Sequence, residues 1–481
     1  MLNLEKIIIH GQKRLNGEIE VHGSKNSALP ILAASALVGG VSEIHNCPRL
    51  SDVDAAIKIL THLGCRVSRT GHTVTVDASG MSGCEIPDEL MREMRSSVVF
   101  LGAILGRAKE ARLSTPGGCE IGLRPIDLHL SAMEQLGAKL TEDAGKLQFT
   151  APDGLTGARI TLTFPSVGAT ENIIIAAATA KGRTVLTNAA REPEISDLAD
   201  YLNACGAHIH GAGDSTVVID GVPALHGTSH TVIPDRIAAS TYLLAGAVTQ
   251  GRICVRDIIP AHLGALLPVL KEAGCDLRCS DRWICLSAPP RLHRVKMTRT
   301  MPYPGFPTDV QAPLSAMLTV ADGTSVIVEN IFESRYKHAG ELVRFGAKIS
   351  VEGRTEVIEG VPYLTGVHAT APDLRGGFAL MIAGLAAHGE TVLSGVEHID
   401  RGYEAPEAVL ASLGADVKRI QDYAREKQIY TPSVEHAADT ETHERATDET
   451  HNSARAAAQQ LDGIAKAGAA QPATARAAAG A

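Results

Sequence analysis

Aromatic residues are scarce: Phe, Trp and Tyr together make up 3% of the 481 residues, and there is a single Trp. Few stacking platforms, together with a net charge of -9, exclude a general nucleic-acid binder. The longest apolar stretches, such as ALPILAASALVGG from Ala28 to Gly40, fall short of the roughly 20 residues of a membrane span. The opening MLNLEKIIIHG lacks the layout of a signal peptide, so the expected location is cytoplasmic. Nine cysteines include no CxxC pair and no Cys/His cluster at zinc spacing, which predicts reduced, mostly buried thiols and no metal site. GSKNS lacks P-loop spacing, no GxGxxG follows a strand, and HExxH is absent. ATP hydrolysis, dinucleotide binding and zinc-protease chemistry therefore have no support, and no cofactor is expected.

What is present is an ordinary globular balance, 44% apolar and 21% charged, in a chain long enough for more than one core. Its dominant feature is an internal repeat. A helix end of the form apolar-x-x-apolar-Gly-small, followed by a short strand, recurs with glycines at Gly64, Gly137, Gly206, Gly274, Gly346 and Gly414. Successive spacings are 73, 69, 68, 72 and 68 residues. Each glycine suits a helix C-terminus, where a left-handed residue turns the chain into the next strand. A second, alanine-rich helix precedes each of these and closes at Gly40, Gly106, Gly182, Gly251, Gly323 and Gly389. The unit reads strand, helix, strand, helix, strand, strand, and six units reach about residue 424. The expected class is α/β with three units in each of two domains: 25–233, and 1–24 joined to 234–424. From residue 425 the periodicity ends, and 425–481 is expected to be a disordered tail.

Function is sought where the units differ. The intervals between the two closing glycines are 24, 31, 24, 23, 23 and 25 residues, so the second unit carries about seven extra. They fall in LSTPGGCEIGLRPIDLH, which sets Cys119 among glycines as a candidate nucleophile or acid on a lid. The alanine-rich helices open with Lys25 and Asn26, Arg95 and Ser96, Ser166 to Gly168, Asp235 and Arg236, Asp309, and Asp373 to Arg375. Helix N-termini carry unpaired amides and partial positive charge. Six of them aimed at one cleft would let an acidic protein hold an anionic substrate.

The motifs GSKNSALPIL, REMRSS, PGGCEIGLRPIDLH, PSVGATENI, PYPGFPTDVQAP, ENIFESRY, DLRGGFAL and HIDRGYE occur in that order. Through them the chain, over roughly residues 1 to 420, resembles the UDP-N-acetylglucosamine 1-carboxyvinyltransferases, the enolpyruvyl transferases that open peptidoglycan synthesis. The resemblance implies a two-domain inside-out α/β barrel with the active site between domains. It implies transfer of the enolpyruvyl group of phosphoenolpyruvate to the 3-hydroxyl of UDP-N-acetylglucosamine, with release of phosphate. It also implies that Asp309 is the base, that Cys119 is the acid and can add covalently to phosphoenolpyruvate or be alkylated by fosfomycin, and that Lys25, Arg124 and Arg401 neutralise phosphoenolpyruvate beside Asn26. For the nucleotide sugar the matching positions are Arg95, Arg124, Pro125, Ile126, Asp127, Leu128, Ser166, Val167, Gly168, Asp309 and Ile331. Asp373 and Arg375 match a DLR turn near the closed site, and Arg335 adds to the same positive field. Two positions depart from familiar members: Phe164 stands where some carry lysine, and Glu120 follows the cysteine where many carry alanine. Sister enzymes of this fold act on shikimate 3-phosphate, and a non-catalytic repeat protein is the alternative of another class.

Overall fold

The computed structural model describes residues 3–423 except 95, 115–125 and 144. The expected tail and the inserted loop with Cys119 lie outside the described residues.

Each unit pairs alternating, half-buried strands into a small sheet and tucks an apolar helix behind it. The strand Val41–His45, for instance, pairs antiparallel with Thr73–Asp77 and parallel with Ser229–Thr231, and Arg66–Thr70 completes the order. Burial alternates along these strands, so one face meets solvent and the other the helices. The alanine-rich helices are different: every residue of Arg236–Val248 and of Gln311–Leu318 is buried. A helix that is apolar all round belongs inside, and small alanines let such helices lie close together. Phe100–Ala108 packs on Val167–Ala177, and Gln311–Leu318 on Leu374–Ala386. Helices inside and sheets outside give the inside-out α/β architecture.

Among the described residues there are two hydrophobic cores. One gathers buried residues between Ala28 and Val232; the other joins Ile7 to Val21 with Ile237 to Val417. The chain's opening strands enter sheets of the second group, Asn3–His10 pairing with Asp416–Tyr423 and Glu390–Ser394, and Asn16–Glu20 with Arg252–Arg256.

The six repeat glycines Gly64, Gly137, Gly206, Gly274, Gly346 and Gly414 all take φ between 91° and 97°. This is the backbone that a side chain resists, and it is what turns each helix into its strand. The second set is less uniform. Gly106 lies inside the helix Phe100–Ala108, and Lys109 supplies the left-handed residue at φ 61°. A Cβ on Gly106 would stand 2.7 Å from Leu37, so close helix packing, not helix termination, is what that glycine serves.

Cys254 and Cys285 lie directly opposite on the antiparallel strands Arg252–Arg256 and Trp283–Ser287, so their side chains meet although they stand 31 positions apart in sequence. Sequence spacing carried no sign of it, because strand register alone brings the two together. Cys47, Cys65, Cys205 and Cys275 are free and buried, and burial pushes the thiols of Cys47 and Cys275 up to about 12.

Candidate active site

A cavity of about 690 Å³ collects the starts of all six alanine-rich helices. Lys25 and Asn26 open Lys25–Ser35, and Ser96 precedes the turn that leads into Phe100–Ala108. Ser166 caps Val167–Ala177 and is followed along the wall by Val167 and Gly168. Arg236 opens the fourth helix, Asp309 lies in the single turn Thr308–Val310 before the fifth, and Asp373 caps the sixth beside Arg375. The two capping aspartates act locally. Asp235 accepts from the amides of Ile237 and Ala238 at 2.7 and 2.9 Å, and Asp373 from those of Arg375 and Gly376 at 3.0 and 2.9 Å. Ile126, Asp127, Leu128, Ile331, Arg335 and Arg401 complete the expected lining. Arg95, Cys119, Glu120, Arg124 and Pro125 lie outside the described residues.

Two cationic clusters face into the cavity, each built on one carboxylate. Asp309 accepts from Arg335 Nη2 at 2.6 Å on one oxygen and from Arg375 Nη2 at 3.0 Å on the other. Burial opposes its ionisation, but Arg375 and then Arg335 outweigh that and hold the carboxyl well below the usual carboxylate range. Both guanidiniums are nearly buried, stacked at 5.3 Å over Tyr403 and 5.1 Å over Phe332. Among the described residues, Arg335 Nε and Nη1 and Arg375 Nη1 find no hydrogen-bond partner. Buried donors of that kind are costly unless an anion takes them.

In the second cluster Asp52 accepts from Lys25 Nζ at 3.0 Å and from Arg401 Nε at 2.9 Å. Burial, with help from Arg375 and Arg401, lowers the pKa of Lys25, and Asp52 opposes the fall. Asp52 itself is buried, yet Lys25 and Arg401 keep it ionised below the ordinary range.

Sequence reasoning missed several wall residues. Asp52 has no local mark beyond an acidic first helical turn. Glu171, Glu192 and Glu194 line the side where Arg236 enters, and burial followed by the charges of Glu194 and Glu192 pushes the Glu171 carboxyl up to about 8. His129 also reaches the wall, held neutral by burial with its pKa down to about 4, and Asn172 Nδ2 lies 3.0 Å from its Nδ1. The departing Phe164 lines the cavity with 43% of its surface exposed. Among the described residues no group of three or more His, Cys, Asp or Glu is placed to hold a metal ion. No helix among them is long and apolar enough to cross a membrane.

A sequence model described as EPSP synthase (3-phosphoshikimate 1-carboxyvinyltransferase) matches residues 9–410. UDP-N-acetylglucosamine 1-carboxyvinyltransferase 2 of Caldanaerobacter subterraneus is 54% identical over 415 residues, covering 86% of this chain and 99% of that protein. UDP-N-acetylglucosamine 1-carboxyvinyltransferase 1 of Symbiobacterium thermophilum is 48% identical over 421 residues, 86% and 95% of the two chains. Among solved structures, the enolpyruvyl transferase NikO from Streptomyces tendae superposes with a TM-score of 0.79 at 27% identity, over 87% of this chain and all of that one. EPSP synthase of Acinetobacter baumannii shares the fold with a TM-score of 0.66 at 19% identity, over 87% of this chain and 100% of its own. The matched length, the fold and the helix-start cavity agree: the chain belongs to the carboxyvinyltransferase family, alongside relatives named UDP-N-acetylglucosamine 1-carboxyvinyltransferase.

Proposed function

We propose that the protein transfers the enolpyruvyl group of phosphoenolpyruvate to the 3-hydroxyl of UDP-N-acetylglucosamine and releases phosphate, the first committed step of peptidoglycan synthesis, in the cytoplasm. The observation that carries this is the pair of cationic clusters in one cavity, with guanidinium N–H groups beside the carboxylate of Asp309 that have no hydrogen-bond partner among the described residues. Both substrates are polyanions, and such donors stabilise charge best in a site that excludes water. Relatives at 48–54% identity favour the nucleotide sugar as acceptor over shikimate 3-phosphate.

In this reading Asp309 takes the proton of the 3-hydroxyl as its oxygen adds to the central carbon of phosphoenolpyruvate. Cys119 delivers a proton to the terminal carbon, and the C–O bond to phosphate then breaks as a proton leaves the new methyl group. A carboxylate held by two guanidiniums is a weak base. An arriving anion that draws Arg335 and Arg375 toward itself would raise the basicity of Asp309 where it is needed. Lys25, Arg124 and Arg401, with Asn26, neutralise phosphoenolpyruvate. Arg95, Arg124, Pro125, Ile126, Asp127, Leu128, Ser166, Val167, Gly168 and Ile331 hold the nucleotide sugar, with Asp373 and Arg375 at the closed end. Phe164 replaces a polar contact by an apolar one. Glu120 beside Cys119 raises the thiol pKa by like-charge repulsion, and alkylation of Cys119 would then titrate lower in Glu120→Gln. In this reading the domains are 25–233 and 1–24 with 234–424, with substrates entering between them, and the separate hydrophobic cores support that division.

The test is phosphate release from phosphoenolpyruvate with UDP-N-acetylglucosamine, beside shikimate 3-phosphate and beside Cys119→Ala. Release with the nucleotide sugar alone, lost in the variant, is expected. Release with shikimate 3-phosphate alone, or with neither acceptor, would overturn the assignment.

A further inference from the structure

Below the wall that carries Asp309 lies a carboxylate that the chemistry above does not use. Glu329 follows the strand Thr324–Val328 and is fully buried. Among the described residues its hydrogen-bond partners are neutral donors. Oε1 accepts from Thr300 Oγ1 at 2.9 Å and from the backbone amides of Ile331 and Phe332 at 2.8 and 3.0 Å. Oε2 accepts from Thr308 Oγ1 at 2.9 Å. Thr300 Oγ1 in turn accepts from the amide of Asn330 at 2.8 Å, which closes a ring of bonds around the loop.

These bonds join three segments that are separate in sequence. One is the strand end at Thr300; the second is the turn Thr308–Val310 with Asp309; the third is the loop after Val328, whose Ile331, Phe332 and Arg335 line the cavity. The loop and the turn also meet across the Arg335–Asp309 pair at 2.6 Å. A buried carboxylate saturated by four donors is stiff, because loss of any one bond leaves a desolvated polar group behind.

We propose that Glu329 is a positioning residue that sets Asp309 and Arg335 against each other, holding the turn of the base through Thr308 and the loop of the guanidinium through the Ile331 and Phe332 amides. It touches no substrate. The inference rests on the reading of Asp309 as the base.

The cleanest perturbation is Thr308→Val, which keeps the volume and removes only the arm to the turn. A small misplacement of a reacting group lowers turnover more than binding, so kcat should fall about tenfold while both KM values stay within about twofold. Thr308→Ser restores the hydroxyl and should restore kcat. Wild-type kcat in Thr308→Val, or no rescue by serine, overturns the proposal. A second measurement needs no turnover: in Glu329→Ala, amide hydrogen exchange at Ile331 and Phe332 should rise at least about tenfold relative to Val326. Unchanged exchange overturns the proposal as well, and if Glu329→Ala does not fold the threonine pair decides. Wild-type protein run in parallel separates the two readings: no phosphate release by wild type refutes the assigned reaction, and the exchange result still decides the role of Glu329.

Discussion

Glu194 and Arg236 join the two cores as a buried ion pair. Glu194 lies in the helix Pro193–Ala204, whose Ile195 and Leu198 belong to the first core; Arg236 opens a helix whose Ile237 and Ala238 belong to the second. Arg236 Nε donates to the two carboxylate oxygens at 3.0 and 3.3 Å, and Nη2 donates at 3.2 Å, with the side chains 9% and 2% exposed. At 3.0 Å and an effective dielectric constant of about 20, the attraction is about 5.5 kcal/mol. Taking both ions out of water costs several kcal/mol each, so the intact pair is worth about as much as a well-packed apolar pair. Removing one partner is another matter. Glu194→Leu strands a buried guanidinium at a cost of about 3–5 kcal/mol, and the lower end is expected because the charges of Glu192 and Asp309 still act on Arg236. In a domain of about 200 residues, 3 kcal/mol lowers Tm by about 6–12 °C. The double variant Glu194→Leu with Arg236→Met should lie within about 1.5 kcal/mol of wild type, a coupling of several kcal/mol. Urea unfolding of the four proteins at pH 7, each step fitted separately, measures it. A single variant within 1 kcal/mol of wild type, or a double variant equal to the sum of the singles, would refute the reasoning.

Three further outcomes are expected. Cys119→Asp should retain phosphate release yet resist fosfomycin, since an acid remains and the soft nucleophile is gone; mass-spectrometric detection of the epoxide adduct in that variant would show the wrong residue was named. Glu171, with its folded-state pKa raised to about 8, holds its proton longer than the unfolded chain does. Its contribution is therefore full below the ordinary glutamate range and is lost as pH rises through about 8, so Glu171→Gln should lose less Tm than wild type between pH 5 and pH 9. Parallel Tm curves would contradict that. Gly102→Ala would place a Cβ 2.5 Å from the Asn172 carbonyl oxygen and 2.7 Å from its Oδ1, which already accepts from the Gly102 amide at 2.6 Å. Overpacking there should cost about 1–3 kcal/mol in denaturant unfolding, and wild-type stability would rule out so close a helix contact.

The sequence alone determined what short-range patterns can carry. A helix that must turn sharply into a strand needs a left-handed residue, so the repeat showed itself as glycines near every seventieth position, and all six take that conformation. Because the units are equivalent, the residues opening the alanine-rich helices could be read as one set, and those the structure describes, apart from the capping Asp235, line one cavity. The ordered motifs carried the family resemblance. Pairing, by contrast, belongs to the tertiary structure. Asp52 meets Lys25 and Arg401, 27 and 349 positions away, and no periodicity links them. Glu194 and Arg236, Glu329 and Thr300, and Cys254 and Cys285 met only when strand register and helix packing brought them together. Gly106 looked like a helix end and proved to be a packing site, because the Leu37 side chain that crowds it comes from another unit. A charge's role depends on what surrounds it once water has gone, and those neighbours come from chain far away in sequence.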